Sequence, residues 1–204
     1  MATGKTEHRI EGDNVLVLER VFDAPRELVF RMFGDSEHLK HWWGPRGWEL
    51  PVSRLDFRPG GSWHYCMKCV DENQGEFYGA ESWGKMYYQE IDEPNRIVLT
   101  DYFSDAEGNI DSSLPASNSV WEFIDLGGKT KLVSRTTYAS PEALQTVLDM
   151  GMLQGISETW DRLEEDVALA AWARSEGFRP CRAGSVEDRS GAGALGAGPD
   201  HSRR

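Results

Sequence analysis

The amino-acid sequence predicts an α+β fold in which a curved, seven-stranded antiparallel sheet wraps around one long C-terminal helix. Two observations lead to this prediction. Residues 48–138 form a succession of β-rich segments separated by turn residues. Residues 141–170 repeat apolar side chains with the period of an α-helix. A helix of roughly 45 Å with one apolar face needs a broad apolar partner, and an antiparallel sheet can provide one.

The N-terminal part of the chain is expected to contribute one strand and two short helices. Residues 1–13 are polar and predict a flexible arm. A β-rich segment at residues 14–22 predicts the first strand, and Pro25 then marks the start of a helix. The two short helices after this strand are expected at about residues 25–35 and 36–43.

The remaining six strands follow one another along the chain. In one of them, Trp63, Tyr65 and Met67 alternate with more polar residues, so these three side chains should face the helix. The link at residues 104–118 is rich in Ser, Asp and Gly and is expected to form a mobile flap. The six strands are expected at residues 48–57, 62–70, 77–91, 96–103, 119–125 and 130–138.

The terminal helix has a clear start and an unusual apolar face. Ser140 is the expected N-cap and Pro141 the first helical residue. Gly151 and Gly155 lie four residues apart on the apolar stripe, where glycine lowers helix stability by roughly 1 kcal/mol relative to alanine. Two explanations remain open: a strand packs closely against these glycines, or they leave room for a ligand.

The composition limits the possible partners. Residues 177–204 lack periodicity and are rich in Gly, Ala, Ser and Arg, which predicts a disordered tail that is dispensable for stability. One folded domain is therefore expected at residues 14–176. The net charge is −12, and because the tail carries five Arg against three acidic residues, the acidic excess lies entirely before it. An acidic surface repels phosphate groups, so we do not expect nucleic acid as a partner.

No sequence motif indicates a membrane, metal or disulfide site. The chain has neither a long apolar run nor a secretory signal, so we expect a cytoplasmic protein with no membrane partner. Cys66, Cys69 and Cys181 are an odd number of cysteines at spacings that do not suggest disulfides. His38 and His41 lie three residues apart, but no third ligand stands at a characteristic spacing, so we predict no metal and no cofactor.

Several stretches of the sequence resemble a known family. In order, they are similar to soluble bacterial proteins related to the C-terminal domain of the activator of the heat-shock-protein-90 ATPase, over about residues 15–168. These proteins belong to the START-like, or SRPBCC, superfamily, which has the helix-grip fold of the birch pollen allergen. The chain departs from them in Trp121, several extra aromatic residues and the long tail. The similar stretches are VFDAPRELVFRMFGDSEHLKHWWGP (21–45), DFRPGG (56–61), EIDEPNRIVLT (90–100), GGKTKL (127–132) and the Gly and Asp-Arg-Leu pattern of residues 151–163.

The resemblance implies a cavity between the sheet and the terminal helix. Lipid carriers, hormone receptors and polyketide cyclases of the superfamily all use such a cavity, and no universal catalytic motif transfers to this chain. We therefore predict binding of a small hydrophobic or aromatic molecule, and leave open whether the chain forms a homodimer. The candidate cavity-lining residues are Trp42, Trp43, Trp63, Tyr65, Met67, Trp83, Trp121, Met152, Gly155, Ile156 and Trp160.

Three alternatives accompany this prediction. Each aromatic residue could simply fill the core, because aromatic side chains bury large apolar areas. An enzyme of cyclase, hydrolase or isomerase type would need a titratable side chain with a shifted pKa facing the cavity, and Asp56, Glu90 and Asp101 are candidates by position alone. A co-chaperone-like interaction module is suggested by the family's name, although we expect no effect on a chaperone ATPase.

Overall fold

The computed structural model describes residues 4–175 and confirms the α+β architecture. The strands in these residues form one antiparallel sheet in the order β1-β2-β8-β7-β6-β5-β4-β3. The predicted tail, residues 177–204, lies outside the described residues. The strands are β1 (Glu7–Glu11), β2 (Val15–Phe22), β3 (Trp48–Leu55), β4 (Ser62–Cys69), β5 (Glu81–Asp92), β6 (Arg96–Phe103), β7 (Ser117–Asp125) and β8 (Thr130–Tyr138).

Two short helices follow β2, as predicted, and two more follow β8. A short 3₁₀ segment, Glu72–Phe77, lies between β4 and β5, so β5 begins later than the sequence indicated. None of the helices described is long and apolar enough to cross a membrane. The α-helices are α1 (Arg26–Gly34), α2 (Ser36–Trp42), α3 (Pro141–Asp149) and α4 (Met152–Ser175).

The prediction of seven strands is wrong, because β1 adds an eighth at the edge of the sheet. These residues lie in the segment expected to be a flexible arm because it is polar, and in the fold their side chains are mostly exposed. Backbone pairing with β2 holds it in place, with Glu7 opposite Glu19 and Glu11 opposite Val15. Arg9 also donates to Glu19 at 2.6 Å. Charged side chains are common on edge strands, where they discourage further strand pairing.

The prediction of a single terminal helix is also wrong. The start is confirmed, because Ser140 Oγ accepts a hydrogen bond from the N–H of Ala143 at 3.2 Å. The helix then ends at Asp149, and α4 begins only at Met152. Between them Gly151 has a φ of +82°, a left-handed conformation that glycine adopts without steric cost. The glycine therefore ends α3 and lets the chain restart as α4.

The inner face of the sheet is packed with aromatic side chains. Trp63 and Tyr65 on β4 are both buried on this face, as the alternation predicted. Helix α1 contributes Phe30 and Phe33, whose rings lie 5.0 and 5.1 Å from the ring of Phe123 on β7. These edge-to-face contacts fix α1 against the middle of the sheet.

The opposite face of β4 is covered as well. His64 is buried there, and its Nε2 lies 3.0 Å from the backbone oxygen of Asp105. Lys85 on β5 donates to the backbone oxygen of Gly108 at 3.0 Å. The link between β6 and β7, expected from its composition to form a flap, therefore packs across the outer face of β4 and β5.

A buried ion pair joins the first part of the sheet to α4. Arg20 on β2 has a fully buried side chain that donates to Asp161 at 2.6 Å and also to Glu164. A guanidinium removed from water requires such partners, so the arginine fixes the position of α4 over β2.

We predict that Arg20→Met lowers the free energy of unfolding by about 3 kcal/mol, because it removes one side of a buried ion pair and leaves its partners beside an apolar side chain. Urea unfolding measures the change. The matched control is Arg9→Met, which removes the solvent-screened pairs with Glu11 and Glu19 and should lower stability much less. Equal losses in the two variants would contradict the structural role of Arg20.

Candidate functional site

A cavity of about 330 Å³ lies between the inner face of the sheet and the C-terminal helices. Its walls come from the loop after α2, the central strands, α3 and the first turns of α4. The lining is mainly apolar, which is typical of small-molecule sites. Side chains and backbone that border it include Trp43, Tyr65, Met67, Asp101, Phe103, Tyr138, Val147, Met152, Gly155, Ile156 and Thr159.

Gly155 keeps one side of this cavity open. A Cβ atom placed on this residue would meet no heavy atom within 4 Å outside its own helix. No strand therefore packs closely against Gly155, and of the two explanations left open by the sequence, the structure supports the open space. A larger side chain at this position would extend into the cavity.

Gly84 on β5, unlike Gly155, has another side chain packed directly against it. A Cβ atom there would lie 2.4 Å from the phenol ring of Tyr65, which occupies the space above the glycine. Tyr65 in turn makes an edge-to-face contact with Trp43, with ring centroids 5.6 Å apart. The missing side chain at Gly84 thus allows Tyr65 to lie flat against the sheet and form part of the cavity wall.

Trp43 is brought to the cavity by the end of α2. The helix ends at Trp42, and Gly44 follows with a φ of +103°. Trp43 packs against Trp63, with ring centroids 4.7 Å apart, and borders the cavity. Its indole Nε1 is buried and makes no hydrogen bond of ordinary geometry within the described residues. The cavity wall therefore contains one polar N–H among apolar surfaces.

Asp101 on β6 is an acidic side chain in the cavity wall. It pairs across the strands with Met86, which is buried on the inner face. Its Oδ1 is buried and has no hydrogen bond partner among the described residues. Burial raises the pKa of Asp101 from 3.8 to about 7, and a hydrogen bond from the backbone N–H of Tyr102 offsets part of this rise. The carboxyl group therefore changes charge near neutral pH.

Three tyrosines lie close to this carboxyl group, one on the adjacent strand and two on strands that lie one position further away. Burial raises the pKa of Tyr65, Tyr88 and Tyr138, and the nearby carboxylate of Asp101 raises it further. All three phenols therefore stay neutral across the physiological range. They lie on β4, β5 and β8, so strands distant in sequence create this environment.

Four of the predicted cavity-lining tryptophans do not border the main cavity, and the prediction is wrong for them. Trp42 is fully buried and donates to the backbone oxygen of Met32 at 3.1 Å. Trp63 donates to Ser53 Oγ at 3.0 Å. Trp121 and Trp160 border a separate gap of only about 30 Å³. These side chains instead fill the packed part of the core. The sequence could not show this, because an apolar pattern identifies the buried face of an element but not how deep each side chain lies.

Trp83 also differs from the expectation. The residue borders the cavity, but its ring stacks on His64 on the outer face of the sheet, with centroids 5.3 Å apart. Its Nε1 donates to Glu81 at 3.2 Å. The side chain therefore points away from the cavity. The predicted lining residues that do border it with inward positions are Trp43, Tyr65, Met67, Met152, Gly155 and Ile156.

Of the three acidic candidates suggested by position, only Asp101 reaches the cavity. Asp56 forms an exposed ion pair with Arg58 at 3.0 Å. Glu90 is exposed and lies 3.9 Å from Arg96. Sequence reasoning had no signal to separate the three, because the difference comes from the strand register that aligns Asp101 with the inner face.

The fold brings a third polar side chain to the two histidines on α2. Asp166 on α4 places Oδ2 2.9 Å from Nδ1 of His38 and Oδ1 3.2 Å from Nδ1 of His41. Hydrogen bonding to Asp166 raises the pKa of His38. The sequence shows no third ligand near the two histidines. The fold brings Asp166 to them from far along the chain.

The two described cysteines form no reactive pair. Cys66 and Cys69 are both buried and free, and burial raises the pKa of Cys66. A raised pKa keeps the thiol protonated and weakly nucleophilic. Cys181 lies outside the described residues.

Several cavity residues were not among the predicted site residues. Phe103 and Tyr138 end strands that the sequence placed correctly, and Val147 and Thr159 lie on the helices. Alternation along β6 and β8 could have assigned Phe103 and Tyr138 to the inner face. The position of α3 against β8 could not have been found in this way, because it follows from the break at Gly151.

Most of the chain is similar to one known protein family. The sequence matches the model of the family described as "Activator of Hsp90 ATPase homolog 1-like protein" over residues 23–168. No curated protein matches the chain at a significant level.

Solved structures with the same fold come from several bacteria. Protein Ms6760 from Mycobacterium smegmatis is 31% identical, with 79% of this chain and 95% of that chain covered and a TM-score of 0.70. A protein from Staphylococcus epidermidis is 26% identical, with coverages of 79% and 93% and a TM-score of 0.67. A protein from Arthrobacter aurescens is 20% identical, with coverages of 95% and 100% and a TM-score of 0.72, and shows the fold alone.

We predict that Gly155→Leu leaves the free energy of unfolding unchanged or raises it by up to about 1 kcal/mol, because the new side chain fills open space and leucine favours a helix. Chemical unfolding measures the change. Gly155→Ala controls for helix propensity, because alanine gains the propensity but leaves most of the space open. A loss of more than about 1 kcal/mol for Gly155→Leu alone would indicate overpacking and contradict the open space.

We predict that Asp101 makes the folded protein less stable as the pH rises from about 4 to about 7. Its pKa is higher in the folded state than the ordinary value of 3.8, so the folded state binds more protons in this range and loses that advantage as protons leave. The fall should be up to about 4 kcal/mol and should level off above about pH 8, where the carboxyl group has lost its proton in both states.

The measurement is urea unfolding of the wild type and Asp101→Asn at several pH values. Because all other titrating groups are common to both proteins, the difference between the two curves isolates Asp101. Parallel curves from pH 4 to 8 would show that Asp101 titrates at its ordinary pKa.

Proposed function

The chain belongs to the family of Activator of Hsp90 ATPase homolog 1-like proteins, and from this premise we propose that it binds a small, largely apolar or aromatic molecule between the sheet and α4. The observation that carries the proposal is the apolar cavity of about 330 Å³ that Gly155 leaves open. Proteins normally pack sheet and helix tightly together, and a mainly apolar recess of this size between them is the usual form of a small-molecule site.

The size and lining of the cavity indicate the class of ligand. Its volume is at the lower end of the range for small-molecule sites, roughly 300–1,000 Å³. Trp43, Tyr65 and Phe103 offer aromatic surfaces, while Met67 and Met152 offer flexible side chains that adapt to different shapes. A flat aromatic or a compact apolar molecule fits this combination better than a long lipid chain. The START-like fold, commonly a ligand-binding one, supports the same proposal.

An enzyme that uses the same cavity is the second candidate, and Asp101 is the observation that favours it. A carboxyl group with a pKa of about 7 in an apolar site can both accept and donate a proton near neutral pH. A cyclase or isomerase that moves a proton on a bound molecule would use it in this way. Binding without turnover identifies the first candidate, and turnover that Asp101→Asn abolishes identifies the second.

We predict that the neutral dye N-phenyl-1-naphthylamine binds with a stoichiometry of one and changes the tryptophan fluorescence, because Trp43 borders the cavity. Gly155→Leu should weaken this binding at least tenfold, since the leucine occupies the same space. Fluorescence titration with native mass spectrometry provides the affinity and the stoichiometry.

Gln154→Leu is the matched control, because it adds the same side chain outside the cavity and should leave the affinity unchanged. If the wild type fails to bind the dye and a panel of neutral aromatic molecules, the proposal is wrong. Equal binding by the wild type and a folded Gly155→Leu variant would place the dye elsewhere and also count against the cavity.

A further inference from the structure

We infer that the molecule bound in the cavity carries a hydrogen-bond donor, a hydroxyl or amine group, on its apolar body, and that this donor lies against Asp101. The inference rests on the proposed function and deepens it. It depends on Asp101, the one carboxyl group that borders the cavity among the described residues, and on the missing hydrogen bond partner of its Oδ1.

Asp101 is unusual among the described acidic residues because it has a buried carboxylate oxygen without a hydrogen bond partner. Many of the others form ion pairs with Arg or Lys, as Glu19 does with Arg9 and Lys131. Asp101 has Oδ1 buried and without a hydrogen bond partner in the described residues. A buried acceptor without a partner is costly, and a ligand that donates to it recovers the lost interaction.

The surroundings of Asp101 leave this role to a ligand. The titratable groups that face it come from three strands: Tyr65 on β4, Tyr88 on β5 and Tyr138 on β8. None of these contacts is a hydrogen bond to Oδ1. Burial and the N–H of Tyr102 are what shift its pKa, with no cationic side chain contributing among the described residues. Asp101 therefore offers an unpartnered acceptor close to aromatic side chains.

The charge of Asp101 favours a donor over an acceptor. Below its pKa of about 7 the protonated carboxyl group can also donate. Above that pH the carboxylate only accepts hydrogen bonds, and a ligand acceptor placed against it would leave both groups unsatisfied. A hydroxyl or amine group satisfies the carboxylate, and a protonated amine would add ionic attraction. A purely apolar ligand would bury Asp101 more deeply without compensating for the loss of water.

The test compares two ligands of nearly the same shape, 2-naphthol and 2-methylnaphthalene. The wild type should bind 2-naphthol at least tenfold more tightly, because a site that holds a polar group discriminates against an analogue that lacks the donor. Ordinary hydrophobic partition would favour the methyl compound, so it cannot produce the expected preference. Isothermal titration calorimetry measures both affinities.

Asp101→Leu should remove the preference and leave binding of 2-methylnaphthalene equal or tighter. Asp101→Asn keeps a weaker acceptor and should give an intermediate preference, so it tests the inference even if Asp101→Leu does not fold. Glu90→Gln, which removes an exposed acid from β5, should behave as the wild type.

The outcomes separate the inference from the proposed function. If both naphthalenes bind with no preference in the wild type, the cavity binds apolar molecules but Asp101 does not select a donor, and the inference is wrong. If neither naphthalene binds and the dye also fails, the proposed function itself is wrong. A preference that persists unchanged in both Asp101 variants would assign the discrimination to another group.

An independent observation supports a second site. We propose that His38, His41 and Asp166 together bind a divalent transition-metal ion such as Zn²⁺. The potential ligand atoms of these three residues all lie within 4.8 Å of one another. Imidazole nitrogens and a carboxylate oxygen are the ligands that zinc prefers apart from thiolates.

The three side chains differ in how far they are exposed to solvent. Asp166 has a side chain only 9% exposed, whereas the side chain of His41 is 66% exposed. Zinc ligands in a tetrahedral site lie roughly 3.4 Å apart, so rotation of the exposed His41 ring can bring the three atoms to suitable positions. Three protein ligands leave a fourth position open to water at this surface. The ion would join α2 to α4.

Zinc titration of protein dialysed against a chelator tests this site. The wild type should bind one equivalent, and zinc should raise its melting temperature. His41→Ala should weaken binding at least tenfold while the protein stays folded, because this side chain is largely exposed. His8→Ala, at an exposed position on β1, should bind as the wild type does.

Absence of binding in the micromolar range would overturn the metal site. Equal affinity in the wild type and His41→Ala would overturn it as well, since the ion would then use other ligands. Neither result bears on the cavity, because none of the three residues borders it.

Discussion

The position of α4 over the curved sheet is the constraint on which the core and the cavity both depend. Arg20 holds the middle of the helix to β2 through Asp161 and Glu164. The interface between α4 and the sheet is packed differently on the two sides of this ion pair. Toward α1 and α2 it is filled by aromatic rings, and toward α3 it stays open. Because a buried arginine tolerates little displacement of its partners, the ion pair prevents the helix from moving inward to close the open end.

Gly151 determines how the open end is bounded. Its left-handed conformation ends α3 and redirects the chain, so that α3 packs on β8 while α4 crosses toward α1 and α2. A straight helix through this point would have only one axis and could not contact both regions. The break therefore gives the cavity two helical walls, with Val147 from α3 and Ile156 from α4. At Gly151, glycine is required because the backbone is in the left-handed conformation. At Gly155, glycine serves a different purpose, because the absence of a side chain leaves the cavity open.

Most of the fold could be predicted from the sequence because its strands and helices carry clear periodic patterns. The misses have local physical causes. Strand β1 is held by backbone pairing and surface charge rather than by an apolar face, so its residues gave no pattern. The break at Gly151 lay within an uninterrupted apolar stripe. A glycine in a helix pattern costs little enough that the pattern alone cannot distinguish an interruption from a continuous helix.

The candidate site was predicted less well than the fold, because a cavity is defined by what is absent. Periodicity placed Trp63 and Tyr65 on the same inward face, yet only Tyr65 borders the cavity. The difference arises from Gly84, which lies beneath the Tyr65 ring on the neighbouring strand. Such cross-strand relations depend on register, which the sequence specifies only through the complete set of pairings.

The same register explains why Asp101 is the most informative residue of the cavity. A shift of one residue in β6 would move its carboxyl group to the outer face, where water would satisfy it. The apolar residues Leu99 and Ile97 precede it on the inward side and are fully buried, so burying them also commits Asp101 to the interior. An apolar side chain there would avoid the cost of an unpartnered acid. Selection for stability alone would therefore favour replacing Asp101, and the proposed hydrogen bond to a ligand gives its carboxyl group a role that stability does not.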